Sequence, residues 1–299
     1  MEFRVLKYFL TVANEESITA AAEALYLSQP TLSRQLRDLE DEIGKQLLIR
    51  GNKKTTLTED GVLLRKRAQE IMDLMNKTES ELRQSDDSIS GDIWIGGGES
   101  EGMRFIARAV HSMQKNFPNI QVNLISANSS DIFERLEKGL VDFGVGVGDI
   151  DLSRYETIEL PVVHTSGVLM RKDSPLANRA AITPDDLQGI PIITPRNEEA
   201  QRWYAAWMGK PFETLDVVAS FNLIYNAAFL VEEGVGYALC MDRLINISDD
   251  HPLLFVPHDP PMNFGIKIAW KRHQVFSKAS LKFIETLKEI IIHYKEIAT

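Results

Sequence analysis

The sequence predicts a multidomain chain: a small helical head built on a helix–turn–helix, a long connecting helix, and an α/β domain. Three observations predict it. Residues 17–50 divide into two apolar-faced helices with almost nothing between them, and residues 58–83 keep a helical pattern with no proline. From Asp92 onward short β-rich runs alternate with helical ones, the pattern of a parallel or mixed sheet with crossovers.

Leu6, Phe9, Leu10 and Ala13 give a first helix whose apolar face should pack on the two helices that follow. The second helix reads SITAAAEAL, with Ser17 as N-cap and helix-forming alanines behind it. Tyr26-Leu27 leaves no room for a loop. The third helix opens at the N-cap Ser28, carries Pro30 in its first turn where a missing N–H costs least, and ends at Gly44.

On this third helix Leu32, Leu36, Leu39 and Ile43 form one apolar stripe. Arg34 and Arg37 lie opposite, with Gln29, Thr31 and Ser33 near the N-terminal end. In a helix-turn-helix the second helix enters the major groove of double-stranded DNA, N-terminal end first. Gln and Arg pair with adenine and guanine edges, while Ser and Thr reach phosphates or bases. By periodicity alone the same two helices also fit any helical bundle.

Gln46 to Leu57 reads as two short strands around a Gly51-Asn52 turn, a wing. Arg50, Lys53 and Lys54 would then lie beside the sugar-phosphate backbone or reach into a minor groove. From Ile43 to Thr58 there are four basic residues and no acid. That patch suits a protein neutralising a few phosphates; a solvated loop has the same composition.

Thr58 begins another helix, with Glu59 and Asp60 in the first turn where the dipole favours acids. Running to about Arg83, it makes a rod of roughly 40 Å. Leu64, Ala68, Ile71, Met75, Thr78 and Leu82 recur as a coiled-coil seam. With no partner expected in its own chain, the stripe reads as a dimer contact; a core helix of the next domain is the alternative. Ser85 to Gly91 is polar and small, a hinge.

In the α/β region DIWIGGG, IQVNLIS and VDFGVGVG are strands, separated by helices over about Gly102–Asn116 and SSDIFERLEKG. A second unit follows: SGVLMRK, IPIITP, a helix bearing Trp203, Tyr204 and Trp207, LDVVASF, a helix from Asn222 to Glu233, and GYALC. GIKIAWK is a last strand and Ser277 to Ile297 a long amphipathic helix.

The string AAEALYLSQPTLSRQLRDLEDEIGKQLLIR over residues 21–50 closely resembles the N-terminal domain of LysR-type transcriptional regulators. Matches include Ala21, Ala22, Ser28, Gln29, Pro30 and Ser33, then Gln35, Leu39, Glu40, Gly44 and Arg50. Thr31 replaces the usual alanine and Leu48 the usual phenylalanine. Further on, Gly139-x-x-Asp142, Ser174-Pro175-Leu176-Ala177, Asp186-Leu187-x-Gly189-x-Pro191 and Gly234-x-Gly236-Tyr237-Ala238-Leu239 resemble that family's effector domain, of type 2 periplasmic binding protein fold. Met241 stands where the family often has proline, and Pro161 to Gly167 matches poorly.

The resemblance implies a winged helix-turn-helix over 1–58 and a linker helix with hinge over 59–87. A bilobal effector domain would cover 88–299, with lobe 1 at about 92–162 and 265–299 and lobe 2 at about 163–264. It implies a DNA-binding regulator controlled by a small-molecule effector and assembled as a homodimer or homotetramer, with RNA polymerase as a candidate further partner. The DNA-binding residues would be Ser28, Gln29, Pro30 and Thr31, then Ser33, Arg34 and Arg37, with Arg50, Lys53 and Lys54 on the wing.

In open α/β sheets ligands lie at the carboxyl ends of strands, against helix N-termini. Four such junctions occur, at Ile95–Ser100, Ser126–Ser129, Thr194–Arg196 and Ser220–Asn222. The resemblance implies that Ser100, Asn128, Ser129 and Thr194 line the effector cleft; each is equally read as a helix cap. Arg196 is a candidate carboxylate clamp or a solvated arginine. Glu99 and Glu101 weaken an anion site and favour a small polar or zwitterionic effector. Trp203 and Trp207 read as one packed helix face.

The chain has 299 residues, 44% hydrophobic and 25% charged, with a net charge of −10, which argues against indiscriminate coating of nucleic acid. The single Cys240 forms no internal disulfide and, expected inside a strand, is a buried thiol. No apolar run approaches the roughly 20 residues of a membrane span, and helical patterning begins at once, so the expectation is a cytoplasmic protein.

No dinucleotide fingerprint, phosphate loop or G-x-S-x-G elbow occurs, and the six histidines have no metal spacing. The expectation is therefore no catalytic residue, no metal and no cofactor beyond the effector. A solute-binding protein or an enzyme on the same bilobal fold is the alternative.

Overall fold

The computed structural model describes residues 1–51, 54–82, 89–148, 153–248 and 250–298. Contacts divide the chain into two compact units, Met1–Arg83 and Gln84–Thr299.

In the first unit α1 (Phe3–Glu15), α2 (Ile18–Ala24) and α3 (Gln29–Ile43) precede a two-stranded antiparallel wing, β1 (Leu48–Arg50) and β2 (Thr55–Leu57), and then α4 (Glu59–Leu82). The caps are where the side chains demand. Ser17 Oγ accepts from the Ala20 N–H at 3.2 Å, and Ser28 Oγ accepts from Thr31 N–H at 3.3 Å. Gly44 ends α3 in the left-handed region at φ 73°, its N–H returning to Glu40 O. Val5, Phe9 and Val12 of α1 close a core with Ala21, Leu32, Leu36 and Leu39. Ile43 is left 39% exposed, so the buried part of the α3 stripe stops one turn short of its end.

Thr58 caps α4: its hydroxyl donates to Gln46 O at 2.7 Å and accepts the Gly61 N–H at 3.0 Å. The one glycine in α4 has a steric reason, because a Cβ on Gly61 would lie 2.1 Å from Leu47 O. The expectation that the α4 stripe lacks a partner in its own chain is corrected by the packing. Leu64, Ala68 and Ile71 pack on Leu6 and Leu10 of α1, and Ala68 is wholly buried. α1 has two apolar faces, and the sequence pattern names a partner for only one of them. Other apolar side chains of α4 stay open, among them Leu63 at 57% towards one end, Leu74 at 42% and Leu82 at 80% at the other end.

The second unit is a single twisted sheet with helices on both faces. Its strands are β3 (Gly91–Gly97), β4 (Ile120–Ser126), β5 (Phe143–Val147), β6 (Tyr155–Arg171), β7 (Pro191–Pro195), β8 (Asp216–Phe221), β9 (Tyr237–Met241), β10 (Leu253–Pro257) and β11 (Asn263–Lys271). The order is β4-β3-β5-β11-β6-β9-β7-β8, with β10 pairing β6. α5 (Met103–Asn116), α6 (Ser129–Glu137) and α9 (Lys278–Ala298) cover the β3–β5 lobe, while α7 (Glu198–Met208) and α8 (Ile224–Glu232) cover the β7–β9 lobe.

β6 joins the lobes. Its residues 155–165 pair antiparallel with β11, and residues 166–171 pair with β9 and β10. The expected strand begins only at Ser166; the segment from Tyr155 is an addition to it, as is β10. Pro161 hides it, yet the β6–β11 register shifts between Gly265 and Ile266, where Val163 and Leu160 are the paired residues. Pro161 falls in that bulge, where no ladder N–H is demanded of it. Gly167 is needed for close strand approach, since a Cβ there would sit 2.3 Å from Val256 O. Asp142 acts locally too. Its carboxylate accepts the Trp94 N–H at 2.7 Å and ties the β5 entrance to β3. The expected hinge at Ser85–Gly91 lies outside the described residues except at Ile89, Ser90 and Gly91.

Candidate nucleic-acid interface and interlobe cavity

α3 separates its two sides cleanly. Leu32, Leu36 and Leu39 are at most 2% exposed, while Gln29, Pro30, Thr31, Arg34 and Arg37 face solvent. Ser28 is exposed too, but its Oγ is 2.7 Å from Thr31 Oγ1 as well as capping the helix. Arg34 pairs with Asp38 at 3.9 Å and 82% side-chain exposure, a contact too weak to hold it from another anion.

Ser33 is different. It is 6% exposed, and its Oγ accepts from Arg50 Nη1 at 3.2 Å and Arg37 Nη2 at 3.4 Å. It therefore supports two arginines from behind. Glu40, for which the sequence suggests no role, fixes the wing to α3. Its Oε1 accepts the N–H groups of Leu47 and Leu48 at 2.8 and 3.0 Å, and its Oε2 pairs with Arg50 at 3.1 Å. Arg50 is thus aimed by α3 on one side and by its own strand on the other. Lys54 is exposed and pairs with Glu16 at 2.6 Å. Lys53 lies outside the described residues. Tyr26, also unassigned in the sequence, stands 95% exposed at φ 56° in the turn between α2 and α3.

In the second unit a cavity of about 120 Å³ opens between the lobes. One water needs roughly 10–15 Å³ on this scale, so the space suits a small molecule. Of the five expected residues, Asn128 and Ser129 line it. Ser100, Thr194 and Arg196 do not. Thr194 is 1% exposed behind the wall, and Arg196 is exposed outside it. The wall is built instead from Glu99, Asn197, Glu199, Trp203, Phe221 and Phe264, among others. Asn197 is readable in the sequence as the N-cap of α7, its Oδ1 accepting the Ala200 N–H at 2.6 Å. The Trp203–Phe264 pair, with ring centroids 4.5 Å apart, joins residues far apart in the chain and has no local signal.

Behind the cavity Ser100 joins a chain of three polar groups. Its Oγ lies 3.2 Å from His164 Nε2, and His164 Nδ1 lies 2.8 Å from Asp242 Oδ1. The geometry resembles a nucleophile–base–acid relay, yet the surroundings oppose one. The imidazole is wholly buried, and the Glu101 N–H is directed at its Nε2 at 3.2 Å. The Gly102 N–H is directed at Ser100 Oγ at 2.9 Å. The amides beside the serine are therefore engaged within the fold, and the hydroxyl does not line the cavity. What the arrangement does is tie the β3–α5 loop to β6 and to the end of β9.

Cys240 also reaches the cavity wall; burial pushes its thiol up to about 12, so it stays protonated at neutral pH. Burial likewise raises the Tyr204 phenol above its ordinary value, against a hydrogen bond with Ser166 at 3.1 Å. Among the described residues no group of three or more His, Cys, Asp or Glu is placed to hold a metal. None of their helices is long and apolar enough to cross a membrane.

Residues 86–291 match the LysR substrate binding domain family, and residues 3–62 match the bacterial regulatory helix-turn-helix protein, lysR family. The chain belongs to the LysR family of bacterial regulators. Among the relatives, the HTH-type transcriptional regulator BsdA of Bacillus subtilis (strain 168) is 34% identical over 146 residues, 48% of this chain and 50% of that one. The Hca operon transcriptional activator HcaR of Escherichia coli (strain K12) is 26% identical over 298 residues, 97% of this chain and 98% of that one. The chain spans between half and two-thirds of the length of the first curated relatives it matches. Full-length CbnR in complex with its target DNA superposes with a TM-score of 0.71 at 18% identity, covering 97% of this chain and all of that one. At that identity the likeness is one of LysR fold.

Proposed function

We propose that this chain is a sequence-specific DNA-binding transcriptional regulator whose activity answers to a small molecule held in the interlobe cavity. The observation that carries it is the two-sidedness of α3: leucines inward, and Gln29, Thr31, Arg34 and Arg37 outward. α3 enters the major groove N-terminal end first, and Arg50 with the two wing lysines neutralises adjacent phosphates. Ser28 and Pro30 set the start of that helix, and Ser33 holds Arg37 and Arg50 in position.

In functional terms residues 1–58 read DNA, 59–87 connect and pair, and 88–299 bind the effector between lobe 1 (92–162 and 265–299) and lobe 2 (163–264). Two copies joined through the open apolar side chains of α4 would present two reading heads to a pseudo-palindromic site, as a dimer or a tetramer in the cytoplasm. RNA polymerase would be its partner at a promoter. The effector shifts this assembly only as far as its affinity differs between the two lobe arrangements. The cavity binds and does not turn over: the Ser100 hydroxyl is spent within the fold.

Selection of duplexes from a randomised pool by the full chain, with footprinting of the enriched sequence, tests the proposal. A recurrent sequence with two half-sites is expected. Retention of all sequences equally would end the reading.

A further inference from the structure

We infer that the interlobe cavity takes a cationic ligand, a protonated amine carrying a small apolar or aromatic body. The inference rests on the effector reading of the cavity and names the chemistry of what enters it.

The first ground is the charge of the wall. Glu99 and Glu199 both line the cavity, and none of the described residues lining it is Lys, Arg or His. Arg196, at the carboxyl end of β7, is exposed and lies outside the wall. A carboxylate ligand would meet two acids and no cation on that wall. Desolvating an anion there without a partner is costly.

The second ground is what occupies the helix ends. A helix N-terminus favours an anion because its first N–H groups and its dipole point at it. Three helices begin at this cavity, and each end is already engaged by the chain. Glu99, from the opposite lobe, accepts the Ile224 N–H of α8 at 2.7 Å. Asn197 caps α7, with Glu198 and Glu199 in its first turn. Asn128 caps α6 through the Asp131 N–H at 2.9 Å, with Asp131 itself in the first turn. The positions where an anion would be welcomed carry the protein's own acids and amide oxygens.

The third ground is the aromatic wall. Trp203 and Phe264 have ring centroids 4.5 Å apart with their planes tilted by 36°, and Phe221 joins them on the lining. Ring faces attract cations and accept apolar bodies, tryptophan most strongly. Carboxylates and ring faces together are the chemistry that recognises an alkyl- or arylammonium. Glu99 also spans the lobes, so an ammonium beside it would sit at the hydrogen bond that joins lobe 1 to α8.

The test uses the full chain and three shape-matched probes: benzylammonium, benzyl alcohol and benzoate. Binding is read from the rise in melting temperature and from tryptophan fluorescence. The expected order is ammonium first, then alcohol, then carboxylate, with about tenfold between the first and last affinities. Glu99→Gln keeps an oxygen for the Ile224 N–H and removes only charge; with Glu199→Gln it should erase most of the ammonium advantage.

Benzoate or the alcohol binding best, or no probe binding, would overturn the inference. So would an ammonium preference untouched in the double variant. Duplex selection on the same preparation separates the two claims. A chain that selects a sequence but prefers benzoate loses only the cationic ligand. A chain that prefers ammonium but shows no duplex preference keeps the ligand class and loses the regulatory reading.

Discussion

His164 Nδ1 lies 2.8 Å from Asp242 Oδ1, and the ring is wholly buried. Asp242 also accepts the Thr165 N–H at 3.1 Å and pairs with Arg243, so its charge is shared among three donors. On its other side His164 meets Ser100 and the Glu101 N–H. Replacing His164 with Ala leaves a void where the buried ring sat and takes the ring nitrogen away from the half-buried Ser100 Oγ and Glu101 N–H. A loss of about 2–3 kcal/mol is expected. Urea unfolding of the full chain reads it, and Ser100→Ala should lose about 1 kcal/mol by comparison. Equal stability in wild type and His164→Ala would show that the tie carries no weight.

Arg34 and Lys54 should fail differently. Arg34 is exposed on the outward side of α3, so Arg34→Ala should cost about 1–3 kcal/mol at the selected duplex and relax sequence choice. Lys54 stands at the wing and exchanges its Glu16 partner for a phosphate at little cost. Lys54→Ala should weaken all duplexes alike and flatten the salt slope by about one unit. Titrations at several salt concentrations distinguish the two. An unaltered slope would remove Lys54 from the phosphate contacts, and an unaltered sequence preference would remove Arg34 from the bases.

Glu40 accepts two backbone N–H groups and one guanidinium, and its side chain is 14% exposed. Glu40→Ala strands the two backbone donors and leaves Arg50 with Ser33 and solvent. Stability of the first unit should fall by about 2–3 kcal/mol, with a further loss of duplex affinity because Arg50 is no longer aimed. Glu40→Gln keeps an acceptor for the Leu47 and Leu48 amides and should lose less than half as much. Circular dichroism melting alongside duplex binding checks both, and identical behaviour of the two variants would contradict this account of the clamp.

The parts of the fold legible in the sequence are those written in local chemistry. Ser17, Ser28 and Gly44 mark helix ends whatever surrounds them, and the 3–4 leucine spacing marks a buried face. What stays hidden depends on partners distant in the chain. The β6 strand is obscured because Pro161 reads as a breaker unless β11 supplies the bulge. The α4 stripe reads as unpartnered because Leu6 and Leu10 fit equally well on the other side of α1. In the cavity, strand-end logic reaches Asn128 and Ser129 but not Trp203 or Phe264, which meet only after the lobes form. The same logic places Ser100 at the wall because it cannot show His164 drawing the hydroxyl away.

His258 predicts an acid-sensitive fold. Its ring stacks on Trp207 at 4.2 Å, and among the described residues neither ring nitrogen has a hydrogen-bond partner. Burial pushes its value down from 6.5 to about 4. The folded state thus refuses a proton that the unfolded chain accepts. Stability from this group is complete above pH 6.5 and declines as pH falls towards 4. The loss over that window is about 3 kcal/mol. His258→Phe keeps the stacking and should remove that part of the pH slope. Urea unfolding at pH 7 and pH 4.5 compares them; parallel losses in both proteins would assign the slope elsewhere.

Cys240 gives a prediction about reactivity. It is the only cysteine in the sequence, 5% exposed on β9, and its thiol titrates only near 12. A thiol attacks as its thiolate, so native Cys240 at pH 8 should react with a disulfide reagent orders of magnitude more slowly than in the urea-unfolded chain. Because Cys240 reaches the cavity wall, slow labelling reports opening of the lobes, and a bound ammonium probe should slow it further. Timed labelling with and without benzylammonium measures both effects. Labelling as fast as in the unfolded chain would contradict the burial of Cys240, and labelling indifferent to a probe that raises the melting temperature would place that probe outside the cavity.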